Sequence, residues 1–263
     1  MDIEGRVAVV TGAGSGIGRA TALRLAEEGA AVVAVDIEAA GDATRREIER
    51  RGGCAVFAIA DVALEADVRR MLGVAQATFG GVDILVNNAG VVEGITTQLE
   101  TFPALQPARW NRMLDVNLRG VILGTQMAIE AMRRRGGGVI VNVASMAGIG
   151  QGRHDAPVYA ASKAAVMRFS AALGALGERE RIRVNRVCPD WVETRMVERG
   201  RAELPAEVWA QIAPATMLAA EEIAAAILRF VRDDELAGRV MLCCDPGGPH
   251  PLLPVTVLNR DES

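Results

Sequence analysis

A doubly wound α/β fold, built on one parallel sheet of about seven strands with helices on both faces, is what this sequence predicts. Short apolar runs rich in β-branched residues recur at residues 7–11, 31–36, 55–60, 84–87, 139–144, 183–188 and 240–244. Helical stretches lie between them, among them 17–28, 43–50, 64–79, 108–135, 159–179 and 220–232. Strands that are apolar on both faces and separated by helices belong to a parallel sheet covered on both sides. Right-handed crossovers then wind the helices around it. The third observation is a glycine-spaced turn, running from Thr11 to Gly18, between the first strand and the first helix.

No linker, internal repeat or low-complexity block divides the 263 residues. One domain over 1–263 is therefore expected, with an insertion over 190–217 at the sheet's C-terminal edge and a tail over 249–263. Within the insertion, the stretch 204–217 leaves the alternating pattern and carries Trp209 and two prolines. Arg133, Arg134 and Arg135 followed by Gly136 read as cations at a helix C-terminus and the glycine that stops it. Arg45, Arg46, Arg50 and Arg51, interleaved with Glu47 and Glu49, read as a solvated helix face.

Composition narrows the function. Hydrophobic residues make up 50% of the chain and charged ones 24%, which suits a folded globular protein and excludes a disordered one. With aromatics at 3%, the core must be built from Ala, Val, Leu and Ile. A net charge of −4 and dispersed basic residues argue against nucleic acid as a partner. The first residues lead straight into a strand without an apolar signal region. The longest uncharged stretch, 136–152, is rich in glycine and holds Asn142, Ser145 and Gln151, so no membrane segment is expected. Cys54, Cys188, Cys243 and Cys244 have neither metal-ligand spacing nor the density of a disulfide scaffold. The expectation is a cytoplasmic protein with reduced thiols and no metal.

In the turn Gly12-Ala13-Gly14-Ser15-Gly16-Ile17-Gly18, glycines let the backbone approach a pyrophosphate, whose charge then faces a helix N-terminus. Strand before, helix after and an acidic residue at the right distance make the signal strong. That residue, Asp36, ends the second strand and can accept both ribose hydroxyls of an adenosine. A 2′-phosphate there would meet a carboxylate of like charge, and Ser15 supplies no cation, so NAD is favoured over NADP.

The chain has 28 arginines but one lysine, Lys163, and one tyrosine, Tyr159. Their i, i+4 spacing puts both on one helix face. An ammonium roughly 4–5 Å from a phenol is worth about 3–4 kcal/mol at an effective dielectric near 20, enough to draw the phenol pKa down toward working pH. Tyr159 can then take the proton of an alcohol and return it to a ketone. Ser145, just past the fifth strand, can hydrogen-bond the substrate oxygen.

The sequence resembles the short-chain dehydrogenase/reductase family in its standard compact branch. The resemblance rests on the Thr11 to Gly18 turn, Asp61-Val62, Asn87-Asn88-Ala89-Gly90, Asn117, Ser145, Tyr159-Ala160-Ala161-Ser162-Lys163, and Pro189 with Thr194. It implies a Rossmann-type dehydrogenase with Asn117, Ser145, Tyr159 and Lys163 as catalytic residues. Lys163 would also hold the nicotinamide ribose, and Asn117 would fix a helix kink and a water of a proton relay. Asp61 and Val62 would flank the adenine. Asn88, Ala89 and Gly90 would line the nicotinamide ribose, Val192 would meet the carboxamide, Thr194 the phosphates, and Pro189 would stand among the cofactor contacts. A homotetramer is implied, pairing the two long helices 108–135 and 159–179, where Ala161, Ala164, Ala165, Ala171 and Ala172 permit close contact.

One departure is Asp190, where the family commonly has glycine. Glycine would mean a backbone at positive φ or a close approach to ligand, and Asp tolerates the left-handed region better than most residues. Its replacement is either neutral, or its carboxylate lies beside the nicotinamide and recognises a polar or cationic substrate group. Substrate contacts are expected from the loops 93–109, 146–157 and 190–217. Met146, Ile149, Leu204, Trp209, Ile212 and Met217 favour a hydrophobic secondary alcohol or ketone. His154 falls near the pocket mouth and His250 in a proline-rich tail. Two other readings stay open: a reductase of 3-oxoacyl thioesters on an acyl carrier protein, and a cofactor-binding regulator without turnover.

Overall fold

The computed structural model describes residues 1–92, 103–149 and 156–244. Its first half runs β1 (Val7–Thr11), α1 (Gly16–Glu27), β2 (Ala31–Asp36), α2 (Ala40–Arg50), β3 (Cys54–Ile59), α3 (Glu65–Phe79) and β4 (Ile84–Asn87). After the stretch 93–102 come α4 (Pro107–Leu114), a π-helical segment over Asp115–Arg119, α5 (Gly120–Arg135) and β5 (Gly138–Val143). They are followed by α6 (Pro157–Ala172), α7 (Leu176–Glu180), β6 (Ile182–Pro189), α8 (Arg195–Glu203), α9 (Ala206–Ile212), α10 (Ala220–Arg232) and β7 (Val240–Cys243).

The strands form one seven-stranded sheet in the order β3-β2-β1-β4-β5-β6-β7, every pair parallel, as expected. Alternate residues of each strand feed opposite faces. Ala8 and Val10 of β1 pack with α1 and α10, while Val7 and Val9 pack with α3 and α5. With both faces covered, β1, β4 and β5 are buried at every position, which is why they read as unbroken apolar runs. The order reverses between β1 and β4, so a crevice opens at their C-terminal ends, the usual ligand position in such sheets.

Two expected helices are interrupted. The stretch 108–135 is split by the π-helical segment, whose wider turn swings Asn117 inward, where it is fully buried. The stretch 159–179 breaks after Ala172, where a Cβ on Gly174 would lie 3.3 Å from the backbone of Gly238. Two chain segments cross closely there, and a side chain at Gly174 would crowd the crossing. Gly136 ends α5 at φ 82°, as the arginine-glycine pattern suggested. The insertion is more ordered than its broken pattern implied, since it carries α8 and α9.

Candidate active site

The crevice between β1 and β4 is held open by backbone fitted against backbone. A Cβ on Gly18 would run into the Gly12 carbonyl oxygen, and one on Gly12, whose φ is +65°, would lie 2.8 Å from Asn88 Nδ2. Thr11 Oγ1 accepts from the amides of Asn88 and Ala89, each at 3.0 Å, and Asn88 Nδ2 donates to the Thr11 carbonyl at 2.9 Å. The Asn88 side chain thus ties the glycine turn to the end of β4.

Ser15 is the N-cap of α1 yet makes no side-chain cap bond, so the first amides of the helix stay available to an anion. Asp36 Oδ2 accepts from Gly14 N at 2.8 Å and its Oδ1 from Glu38 N at 3.0 Å, which fixes the carboxylate at the edge of the turn. On the other side, a Cβ on Gly16 would lie 2.8 Å from Thr194 Cγ2, so Thr194 borders the turn. Asp61 is held by Ala63 N at 3.0 Å and by Arg112 Nη1 at 2.8 Å, and Val62 is buried beneath it. Val192 is buried in a bridge to Leu218. A groove without side chains along its floor, an unbonded helix N-terminus and a carboxylate at its far end fit a dinucleotide.

Ser145, Asn117 and the α6 pair Tyr159 and Lys163 come from three separate parts of the fold and converge beside this groove. Ser145 follows β5, and Ala144 N donates to the Val187 carbonyl at 2.8 Å, which levels it with the end of β6. Tyr159 and Lys163 are one turn apart on α6, with Lys163 Nζ 5.8 Å from the phenol ring centroid. Ser145 and the Tyr159 hydroxyl share a hydrogen bond. Lys163 Nζ donates to the Val143 carbonyl at 2.9 Å. A Cβ on Gly90 would stand 3.5 Å from both Lys163 Nζ and Asn117 Oδ1, so the end of the β4 loop borders the same point. Pro189 closes β6 opposite Cys243.

Asn117 works as a clamp. Its Oδ1 accepts from Val91 N and its Nδ2 donates to the Val91 carbonyl, both at 2.8 Å, and Nδ2 also reaches Ser162 Oγ at 3.2 Å. Ser162 Oγ in turn donates to the Tyr159 carbonyl at 2.7 Å. Sequence reasoning gave Ser162 no role, although it lies inside the Tyr159–Lys163 motif. A second buried chain runs from Thr125 through Asn87 and Asn142 to Ser170, seating α5 and α6 on the sheet. Its signal was polar residues inside otherwise apolar strands.

Two expectations need correction. Lysine was expected to pull the phenol down, but burial pushes Tyr159 up, opposed by its hydrogen bond with Ser145. The reason is where the amine points: Nζ faces the Val143 carbonyl, and its own burial lowers Lys163 to about 8. Nor does Asp190 need the left-handed region. Arg181 is the sole non-glycine residue at positive φ among the described residues, and Asp190 N extends the β6–β7 ladder by donating to the Cys243 carbonyl at 2.8 Å.

Within the insertion, Trp209 meets Trp191 edge-on at 5.7 Å between ring centroids, with the Arg201 guanidinium 5.5 Å from a Trp209 ring. Trp191 was not anticipated. Leu204 is buried and Ile149 is partly exposed. His154, His250, the tail and most of the loop 93–109 lie outside the described residues.

A family model for the short chain dehydrogenases matches residues 6–205. The chain is 39% identical over 232 residues to a cis-4-hydroxycyclohexanecarboxylate dehydrogenase of Sinomonas cyclohexanicum, covering 87% of this chain and 90% of that one. It is 34% identical to a 3-oxoacyl-[acyl-carrier-protein] reductase of Thermotoga maritima, with 89% and 93% covered. Among solved structures, a short-chain type dehydrogenase/reductase from Mycobacterium marinum superposes with a TM-score of 0.84 at 31% identity, covering 93% of this chain and 96% of that one.

Proposed function

The chain belongs to the short-chain dehydrogenase family, and from there we propose that it is an NAD-dependent oxidoreductase interconverting a secondary alcohol and a ketone by hydride transfer. What carries this reading is the hydrogen bond between Ser145 and Tyr159 one helical turn from Lys163, beside a groove built for a dinucleotide. Bound in that groove, the dinucleotide supplies the nicotinamide that accepts or returns the hydride. Ser145 holds the substrate oxygen against Tyr159. The Tyr159 hydroxyl takes the alcohol proton during oxidation and returns it during reduction. Lys163, whose amine faces the Val143 carbonyl beside the phenol, would hold the nicotinamide ribose. Asn117, through Val91 and Ser162, fixes the turn that carries Tyr159.

NAD is favoured by Asp36, whose carboxylate is already fixed beside Gly14. Along the groove, Gly12, Gly14, Ser15, Gly16, Ile17, Gly18, Asp61, Val62, Ala89, Gly90, Pro189, Val192 and Thr194 are the contacts we assign, with Asn88 acting through the turn. The apolar insertion suits a hydrophobic substrate, and a hydroxylated ring like that in the Sinomonas enzyme's name is the first to try. A homotetramer pairing α5 and α6 fits the exposure of Ala161, Ala164 and Ala172 along α6. Light scattering at a mass near 28 kDa would contradict it.

The test is a panel of cyclic and linear secondary alcohols, plus a 3-oxoacyl thioester, followed by NADH absorbance with NAD and NADP compared. Turnover of a secondary alcohol with NAD preferred is the expected result. No turnover of any member, with intact NAD binding, would leave the regulator reading. A preference for NADP would overturn the assignment of Asp36.

A further inference from the structure

We propose that Glu38 and Arg195 work as a pair that reinforces the choice of NAD over NADP, Glu38 engaging the cation that a 2′-phosphate would otherwise recruit. The proposal rests on the reading of the groove as a dinucleotide site. Arg195 Nη1 lies 2.9 Å from Glu38 Oε2, an ion pair between residues 157 positions apart. Glu38 belongs to the adenosine end, since its amide donates to Asp36 Oδ1 at 3.0 Å. Arg195 opens α8 directly after Thr194, which borders the glycine turn at Gly16. The pair therefore spans the groove from one bank to the other.

Its two side chains are 49% and 53% exposed, so the pair adds little to stability. Its consequence is the placement of charge. A 2′-phosphate at the Asp36 end meets two carboxylates, Asp36 and Glu38. The guanidinium that reaches this end from the opposite bank is already engaged. Arginines on α2 are engaged as well: Arg45 with Asp42 and Glu49, and Arg46 with Asp42. Removing the Glu38 charge removes one repulsion and frees one fork-shaped donor suited to phosphate.

The experiment measures binding of ADP and of adenosine 2′,5′-bisphosphate by calorimetry, and kcat/KM with NAD and NADP, for the parent, Glu38→Gln, Arg195→Gln and the double variant. Glu38→Gln should raise relative affinity for the bisphosphate, and the NADP:NAD ratio, by about tenfold, the scale of one charge-assisted contact. Glu38→Gln combined with Arg195→Gln should lose most of that gain. Ratios within twofold of the parent in Glu38→Gln overturn the proposal, and so does a gain fully kept in the double variant. The parent's own preference tests the NAD reading separately, because the pair is judged only by the change between variants.

Discussion

On the cofactor side of the cleft the working surface is mostly backbone, whereas on the catalytic side it is a set of side chains drawn from distant segments. Gly12, Gly14, Gly16 and Gly18 matter by lacking a Cβ, and the anion site we propose is a helix N-terminus whose N-cap makes no side-chain bond. Ser145, Tyr159, Lys163 and Asn117 would act through single atoms: Tyr159 bonds Ser145, Lys163 the Val143 carbonyl and Asn117 the backbone of Val91. The first surface should fail when volume is added, the second when one atom is removed. That contrast can be broken by experiment.

The largest effect is expected on the catalytic side. Tyr159→Phe keeps the ring and deletes the proton donor, so turnover should fall by about 10²–10⁴. Dinucleotide affinity, measured by calorimetry, should stay within a few-fold of the parent. Activity within tenfold of the parent would sink the acid/base assignment.

Gly18→Ala tests the other bank. Its Cβ collides with the Gly12 carbonyl oxygen, a backbone atom that cannot rotate away. Overpacking of this kind costs about 1–3 kcal/mol. Thermal unfolding should shift down by several degrees, and NAD affinity should drop with it. Unchanged binding would show that the turn is not the cofactor cradle.

A smaller effect separates Ser145 from Tyr159. Alcohol oxidation needs the ionised phenol, so kcat/KM should rise with pH through the Tyr159 pKa, and ketone reduction should fall through the same point. Burial raises that pKa and the Ser145 hydrogen bond lowers it. Ser145→Ala should therefore move the oxidation limb to higher pH, beyond any loss in rate. A limb that stays in place means the bond does not tune the phenol.

The smallest effect is expected at Asp190. Its backbone is not left-handed, and its carboxylate lies near Cys244, whose thiol is raised by burial and then by Asp190. Asp190→Gly should leave kcat/KM within about twofold on every substrate, the scale of a surface change away from key features. A selective loss on polar or cationic substrates would restore a role in recognition.

Much of the cofactor side was legible because its signals are local. A glycine matters where its own Cβ would clash, and Asp36 matters because it ends a strand beside the turn. The Tyr159–Lys163 pair was legible for the same reason, being one turn of one helix. The direction of the phenol pKa was not, because it depends on how deeply α6 is buried and on the Val143 carbonyl that draws the amine. Periodicity over 108–135 continues through the π-helical segment; the kink at Asn117 was implied only by the family resemblance, and the partner that clamps this side chain, Val91, lies 26 residues earlier.

By itself, then, the sequence determined the alternation of strands and helices, the parallel sheet and the glycine turn, together with the pairing of Tyr159 and Lys163 on one helix face. Each follows from periodicity or spacing within a few residues. Only the tertiary structure decided that Asn88 ties the glycine turn to the end of β4, that Ser162 joins Asn117 to Tyr159, that Trp191 packs against Trp209, and that Arg195 reaches Glu38. Those contacts join segments far apart in the chain, and a side chain's partner across such a distance is set by how the layers pack.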